Sequence, residues 1–159
     1  MKITLEERTE ERVRIYFREA QKEAIRKLLP QKAKTEEEAV ADYRNTLLPG
    51  ASSYGRTIFA DGIYVGDIWC YCINPKDTPN AMVSYCFFNT NYCDKDVATE
   101  AMKLFLEEIR ECFQLRSVGG FTYSENIASL RVMEKNGFQT VEEFQEDGVL
   151  SKYCELTFT

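Results

Sequence analysis

The chain has 159 residues, a net charge of −6, and a composition that is 44% hydrophobic and 13% aromatic. That is enough apolar material for one domain, residues 1–159, with a sizeable core, and it excludes a disordered chain. The acidic balance argues against a nucleic-acid partner, which would need a basic face.

Other classes fall away for reasons of pattern. No apolar run reaches the roughly 18 residues of a membrane span, so no membrane partner is expected. The opening MKITLEERTEERVRIYF is charged throughout and does not read as a signal peptide, so a cytoplasmic protein is expected. There are six cysteines, no CxxC pair and no histidine. No metal site is therefore expected, and the cysteines read as free thiols, with Cys70 and Cys72 on one face of a strand. Without histidine, Ser-His-Asp and Cys-His catalysis are absent, and acid–base work falls to carboxylates, hydroxyls, Tyr or Lys. The acidic surplus is concentrated in residues 97–159. It favours a cationic substrate, or else is simply a solvated surface.

In chain order, residues 2–7 read as a short strand. From Thr9 to about residue 29 apolar residues recur at three and four (Val13, Tyr16, Phe17, Ala20, Ala24, Ile25), which predicts one helix stopped by Pro30. Thr35 followed by three glutamates predicts a second helix, running to about Leu48. The period then changes to strands. Residues 56–60 and 63–73 form a hairpin around Asp61-Gly62, and residues 81–88 form a further strand. A helix over 96–113, a buried strand over 117–123 and a helix over 127–136 follow. Strands over 138–144 and 149–158 close the chain around Glu146-Asp147-Gly148. The expected fold is mixed α/β (α+β): a mostly antiparallel sheet of about six to seven strands with about four helices.

The most telling segment is NIASLRVMEKNGF, residues 126–138. Asn126 and Ser129 lie one turn apart at a helix start and point together beyond its N-terminal end, while Leu130, Met133 and Phe138 turn inward. Asn126, Ser129, Glu134, Lys135, Gly137 and Phe138 fit the pattern N-x-x-S-x-x-x-x-E-K-x-G-F. Ala98-Thr99-Glu100-Ala101 fits an A-T-E-A segment, and Tyr85 in the preceding strand also fits. With this element order, nearly the whole chain resembles the GNAT superfamily of N-acetyltransferases. The nearest branch holds ribosomal-protein N-terminal acetyltransferases and many small-molecule amine acetyltransferases.

The resemblance implies acetyl-CoA as cosubstrate and a primary amine, on a small molecule or a peptide N-terminus, as acceptor. It implies two splayed central strands, with the pantetheine arm held by backbone groups around Cys86, Phe87 and Phe88. The pyrophosphate would sit on Cys93, Asp94, Lys95, Asp96, Val97, Ala98 and Thr99, at a helix N-terminus that favours anions. Here Cys93 and Asp96 depart from the family loop, because Asp96 stands where a glycine belongs. Asp96 is equally a normal helix cap in a protein that binds nothing there. Met133 occupies the position of the Tyr that donates a proton in many relatives, which leaves Ser129 as the candidate donor, with Asn126 orienting the cofactor. Glu125 is the candidate base, and Asp67 a second; either is otherwise a solvated surface carboxylate. Tyr64, Trp69, Tyr71 and Tyr85 line a substrate pocket or simply pack. A homodimer is possible. The alternative is a GNAT-fold binding protein that has lost catalysis through its altered phosphate loop.

Overall fold

The computed structural model describes residues 1–29, 31–92 and 96–159. Its elements are β1 (Ile3–Glu7), α1 (Glu10–Ala20), α2 (Glu23–Leu28), α3 (Glu36–Asn45), β2 (Tyr54–Ala60), β3 (Ile63–Asn74) and β4 (Asn80–Phe87). After them come α4 (Val97–Phe113), β5 (Ser117–Tyr123), α5 (Ile127–Lys135), β6 (Gln139–Glu146) and β7 (Val149–Thr157). The strands form one seven-stranded sheet in the order β1-β2-β3-β4-β5-β7-β6. Only β4 and β5 pair in parallel; every other neighbour is antiparallel.

Local chemistry explains most of the boundaries. The hydroxyls of Thr9 and Thr35 accept the N–H of Arg12 and of Glu38, each at 3.1 Å, which caps α1 and α3. Asp61-Gly62 and Asp147-Gly148 all have positive φ, the requirement of a tight two-residue hairpin, and Asp tolerates that region better than most side chains.

Three expectations fail. The helix expected over residues 9–29 is two helices, broken where Lys22 turns extended (φ −60°, ψ 137°). Ala20 and Ile25 are both buried in one cluster with Cys86. Five residues apart on a continuous helix they would face about 140° away from each other, so the break lets both reach the sheet. Pro30, the expected stop, lies outside the described residues. The next helix ends at Asn45 rather than near Leu48, because Leu47 and Leu48 are exposed and find no core to hold them. Cys70 and Cys72 do not share a face. A bulge between Tyr71 and Asn74, with Cys72 at φ 52°, leaves Cys70 buried and Cys72 exposed.

The sheet is covered on both faces. Phe105, Met102 and Ile109 of α4 pack with Ile58, Ile68, Val83 and Val118 in the main core. A smaller cluster of Ala20, Ile25 and Cys86, joined by Tyr16 and Trp69, seats α1 and α2 on the other face. This second cluster and the helices above it frame the site.

Candidate active site

β4 and β5 are hydrogen-bonded over three pairs, Asn80 with Ser117, Ala81 with Val118 and Met82 with Gly119. β4 then continues to Phe87 and β5 to Tyr123 with no further pairing, while β5 stays paired with β7 along its whole length. Past Met82, β4 no longer pairs with β5, which leaves an opening in mid-sheet. The Phe88 N–H donates to Val65 O at 3.0 Å, so it points to β3 and away from the opening. Backbone alternation along the strand then directs the Cys86 amide to β3 as well and the Phe87 amide to the opening. Of the three residues expected there, Phe87 directs its amide to the opening, and Cys86 and Phe88 direct theirs to β3.

The helix that follows β4 in the chain is α4. Asp96, its cap residue, has φ 57° and ψ 14° and makes no side-chain cap hydrogen bond. That left-handed conformation normally calls for glycine, and Asp is one of the few side chains that tolerates it. Asp96 thus holds a backbone conformation that a glycine adopts freely, and it adds a carboxylate. The carboxylate is turned to Lys135 Nζ at 2.8 Å, at the end of α5. Asn136 Nδ2 ties the same two helices by donating to Thr99 O and Val132 O. Val97 and Ala98 are buried in the first turn and Thr99 is half-buried. Cys93, Asp94 and Lys95, also expected in the phosphate loop, lie outside the described residues.

Beside the opening, α5 carries the other expected residues. The Asn126 carbonyl oxygen accepts the Ser129 N–H at 3.1 Å, so this side chain caps the helix. The Tyr85 hydroxyl donates to Ser129 Oγ at 3.3 Å across from β4, which leaves the Ser129 proton free to point elsewhere. Met133 is buried with its Cε where a Cβ on Gly120 would sit. It fills the space over β5 and carries no acid. Glu125 is exposed in the turn between β5 and α5.

On the other face, α1, α3 and the β2–β3 hairpin enclose a cavity of about 690 Å³. Trp69 and Tyr71 line it; Tyr64 does not, but its hydroxyl donates to Asp67. Asp67 is not a solvated carboxylate. It is 2% exposed, lines the cavity floor, and lies 3.3 Å from the Arg8 guanidinium. Burial raises its pKa above the usual carboxylate value, and Arg8 and Tyr64 offset part of that rise. Burial and the neighbouring Asp67 likewise push the Tyr64 hydroxyl far up. Arg8 escaped the sequence reading because its role depends on β1 lying beside β2. Its guanidinium occupies the space over Gly55, where a side chain would collide with it. Asp67 faces Cys86 across β3 and β4, so the cavity floor adjoins the half of β4 that has parted from β5.

A family model described as "Acetyltransferase (GNAT) domain" matches residues 2–139. The chain belongs to the GNAT acetyltransferase family. Solved GNAT structures share the whole architecture at low identity. RimL, a ribosomal L7/L12 alpha-N-protein acetyltransferase in complex with coenzyme A, superposes with a TM-score of 0.83 at 16% identity, over 99% of this chain and 94% of that one. Spermidine N-acetyltransferase from Vibrio cholerae, with CoA and spermine, gives a TM-score of 0.85 at 13% identity, over 98% and 95%. Aminoglycoside acetyltransferase AAC(6')-Ib, with coenzyme A and kanamycin, gives 0.80 at 15%, over 98% and 95%. No curated protein sequence matches this GNAT chain. The expected GNAT fold, with its mid-sheet opening, is therefore present.

Proposed function

We propose that the chain is an acetyl-CoA-dependent N-acetyltransferase that acetylates a primary amine directly. The observation that carries this is the mid-sheet opening, where β4 leaves β5 after three pairs and the Phe87 amide is directed into the gap. The residues present suit the cosubstrate. The Phe87 backbone edge would receive the pantetheine arm, and the first turn of α4, free of a side-chain cap, would receive the pyrophosphate. Acetyl-CoA, when bound, supplies an activated acetyl thioester at the opening.

The chain's own groups then have defined tasks. The Phe87 N–H, aimed into the opening, polarises the carbonyl that lies there. Ser129, held by the Tyr85 hydroxyl, keeps its own proton for the departing thiolate. Glu125, exposed beside the opening, takes the proton of the acceptor ammonium through water. Asp67 is already committed to Arg8 and Tyr64, and serves to hold the cavity floor.

A second reading has an observation of its own. Asp96 remains a carboxylate at the phosphate site, and Met133 replaces the usual acid, as in a GNAT fold that has lost turnover. A thermal melt separates the two. Acetyl-CoA at about a hundredfold over its Kd adds roughly 2.7 kcal/mol, a rise of about 5–10 °C in Tm for a chain of this size. Asp96→Gly keeps the backbone conformation, removes the like charge, and should enlarge the rise. No shift at millimolar acetyl-CoA in either protein would sink the enzyme reading.

A further inference from the structure

We propose that the acceptor is a small monoamine on an aromatic or apolar body, and that polycationic amines are poor substrates. This rests on the acetyltransferase reading above and concerns the 690 Å³ cavity, whose size suits a small organic molecule.

Tyr16, Phe17, Trp69, Tyr71 and Val13 supply aromatic and aliphatic surface to the lining, beside the uncharged polar Gln31, Asn45, Thr46 and Ser53. Such walls reward apolar contact, and ring faces also attract a single ammonium. The charges in the lining are balanced. Arg8 and Asp67 form a pair on the floor, and exposed Lys32 and Asp42 stand at the rim. The floor carboxylate is therefore matched within the protein, and it offers no surplus charge to a ligand. A polyamine or aminoglycoside entering the cavity would give up the hydration of several ammonium groups and meet one rim carboxylate in return.

The chain's net charge of −6 does not reach the cavity. Much of its surplus lies on the last hairpin, at Glu142, Glu143, Glu146 and Asp147, all exposed. The acidic composition is thus a poor guide to the acceptor, and the cavity chemistry points away from the spermine and kanamycin found in the similar structures.

The test is steady-state acetylation by the full chain with acetyl-CoA, read by thiol release and product mass. The acceptors are 2-phenylethylamine, spermine, kanamycin and a tripeptide beginning with phenylalanine. The kcat/KM for 2-phenylethylamine should exceed that for either polycation by about tenfold or more. Ala39→Glu, which adds an unmatched carboxylate to the lining, should shift the ratio toward spermine. A preference for spermine or kanamycin would overturn the proposal, as would a tenfold preference for the tripeptide, which would make the acceptor a polypeptide end. Ligand-observed NMR without acetyl-CoA reads the cavity separately. Saturable binding of 2-phenylethylamine that is lost in a folded Trp69→Ala variant supports the cavity chemistry; the same binding with no acetyl transfer would overturn the acceptor assignment together with the acetyltransferase reading. If acetyl-CoA raises Tm but the amine neither binds nor reacts, the inference fails and the acetyltransferase reading stands.

Discussion

Ser129 and Asp67 are both polar groups within the sheet-and-helix framework, yet their surroundings give them different work. Ser129 accepts from Tyr85 and keeps a proton to give. Ser129→Ala should lower kcat by about a hundredfold while leaving acetyl-CoA affinity nearly unchanged; an unchanged kcat in steady-state assays would remove Ser129 as the donor. Asp67 is held neutral more readily than an ordinary carboxylate, because burial outweighs the help of Arg8. An acid whose native pKa is raised binds more protons folded than unfolded as pH climbs past about 3.9, its ordinary value. Its contribution to stability therefore falls with rising pH until its native pKa is passed, and is constant above. Arg8→Met removes the principal group holding that pKa down, so the interval of falling stability should extend to higher pH. Urea unfolding across pH 3–9, compared between the two proteins, reads the change directly; superimposable profiles would mean that Arg8 does not govern Asp67.

Among the elements, β3 is the most tightly constrained. Gly66 lies against the Cys86 carbonyl and the Phe87 ring, both closer than a side chain allows. It also sits where the β2–β3 register shifts between Ile58 and Phe59. Gly66→Ala should therefore push β3 from β4 and cost about 2–3 kcal/mol, measured as a lower denaturant midpoint. Because Phe87 borders the opening, acetyl-CoA binding should weaken as well. The α1–α2 break shows the same principle from the other side. Helical periodicity continues through residues 9–29, but burying Ala20 and Ile25 together requires a turn between them. Packing against the sheet prevails over local propensity, which is worth only tenths of a kcal/mol per residue.

In the whole molecule the sheet divides the work. One face carries α4 and the main core, the other carries α1 to α3 and the cavity proposed for the acceptor, and β4 and β5 part between them. This arrangement predicts a pattern of amide exchange. The Phe87 N–H, aimed into the gap, should exchange faster than that of Phe88, which is bonded to Val65. Acetyl-CoA should slow Phe87 selectively. Equal protection of both amides before ligand addition would contradict the assigned edge.

Much was legible without a fold. Turn chemistry at Asp61-Gly62 and Asp147-Gly148, the threonine caps, and the period-2 and period-3.6 runs are local, and each carries its own physical cause. The 126–138 segment was legible too, because a cap, a helical face and a closing Gly137 are set by neighbours in the chain. The coordinates assign what depends on distant segments. Asp67 reads as a surface acid until Arg8, brought over Gly55 by the pairing of β1 with β2, encloses it. Asp96 reads equally as an ordinary helix cap until its left-handed backbone, without a side-chain cap hydrogen bond, and its link to Lys135 are visible. Net charge counts every residue equally, whereas a cavity responds only to those that line it. For that reason the proposed acceptor chemistry rests on the assembled walls and not on the composition.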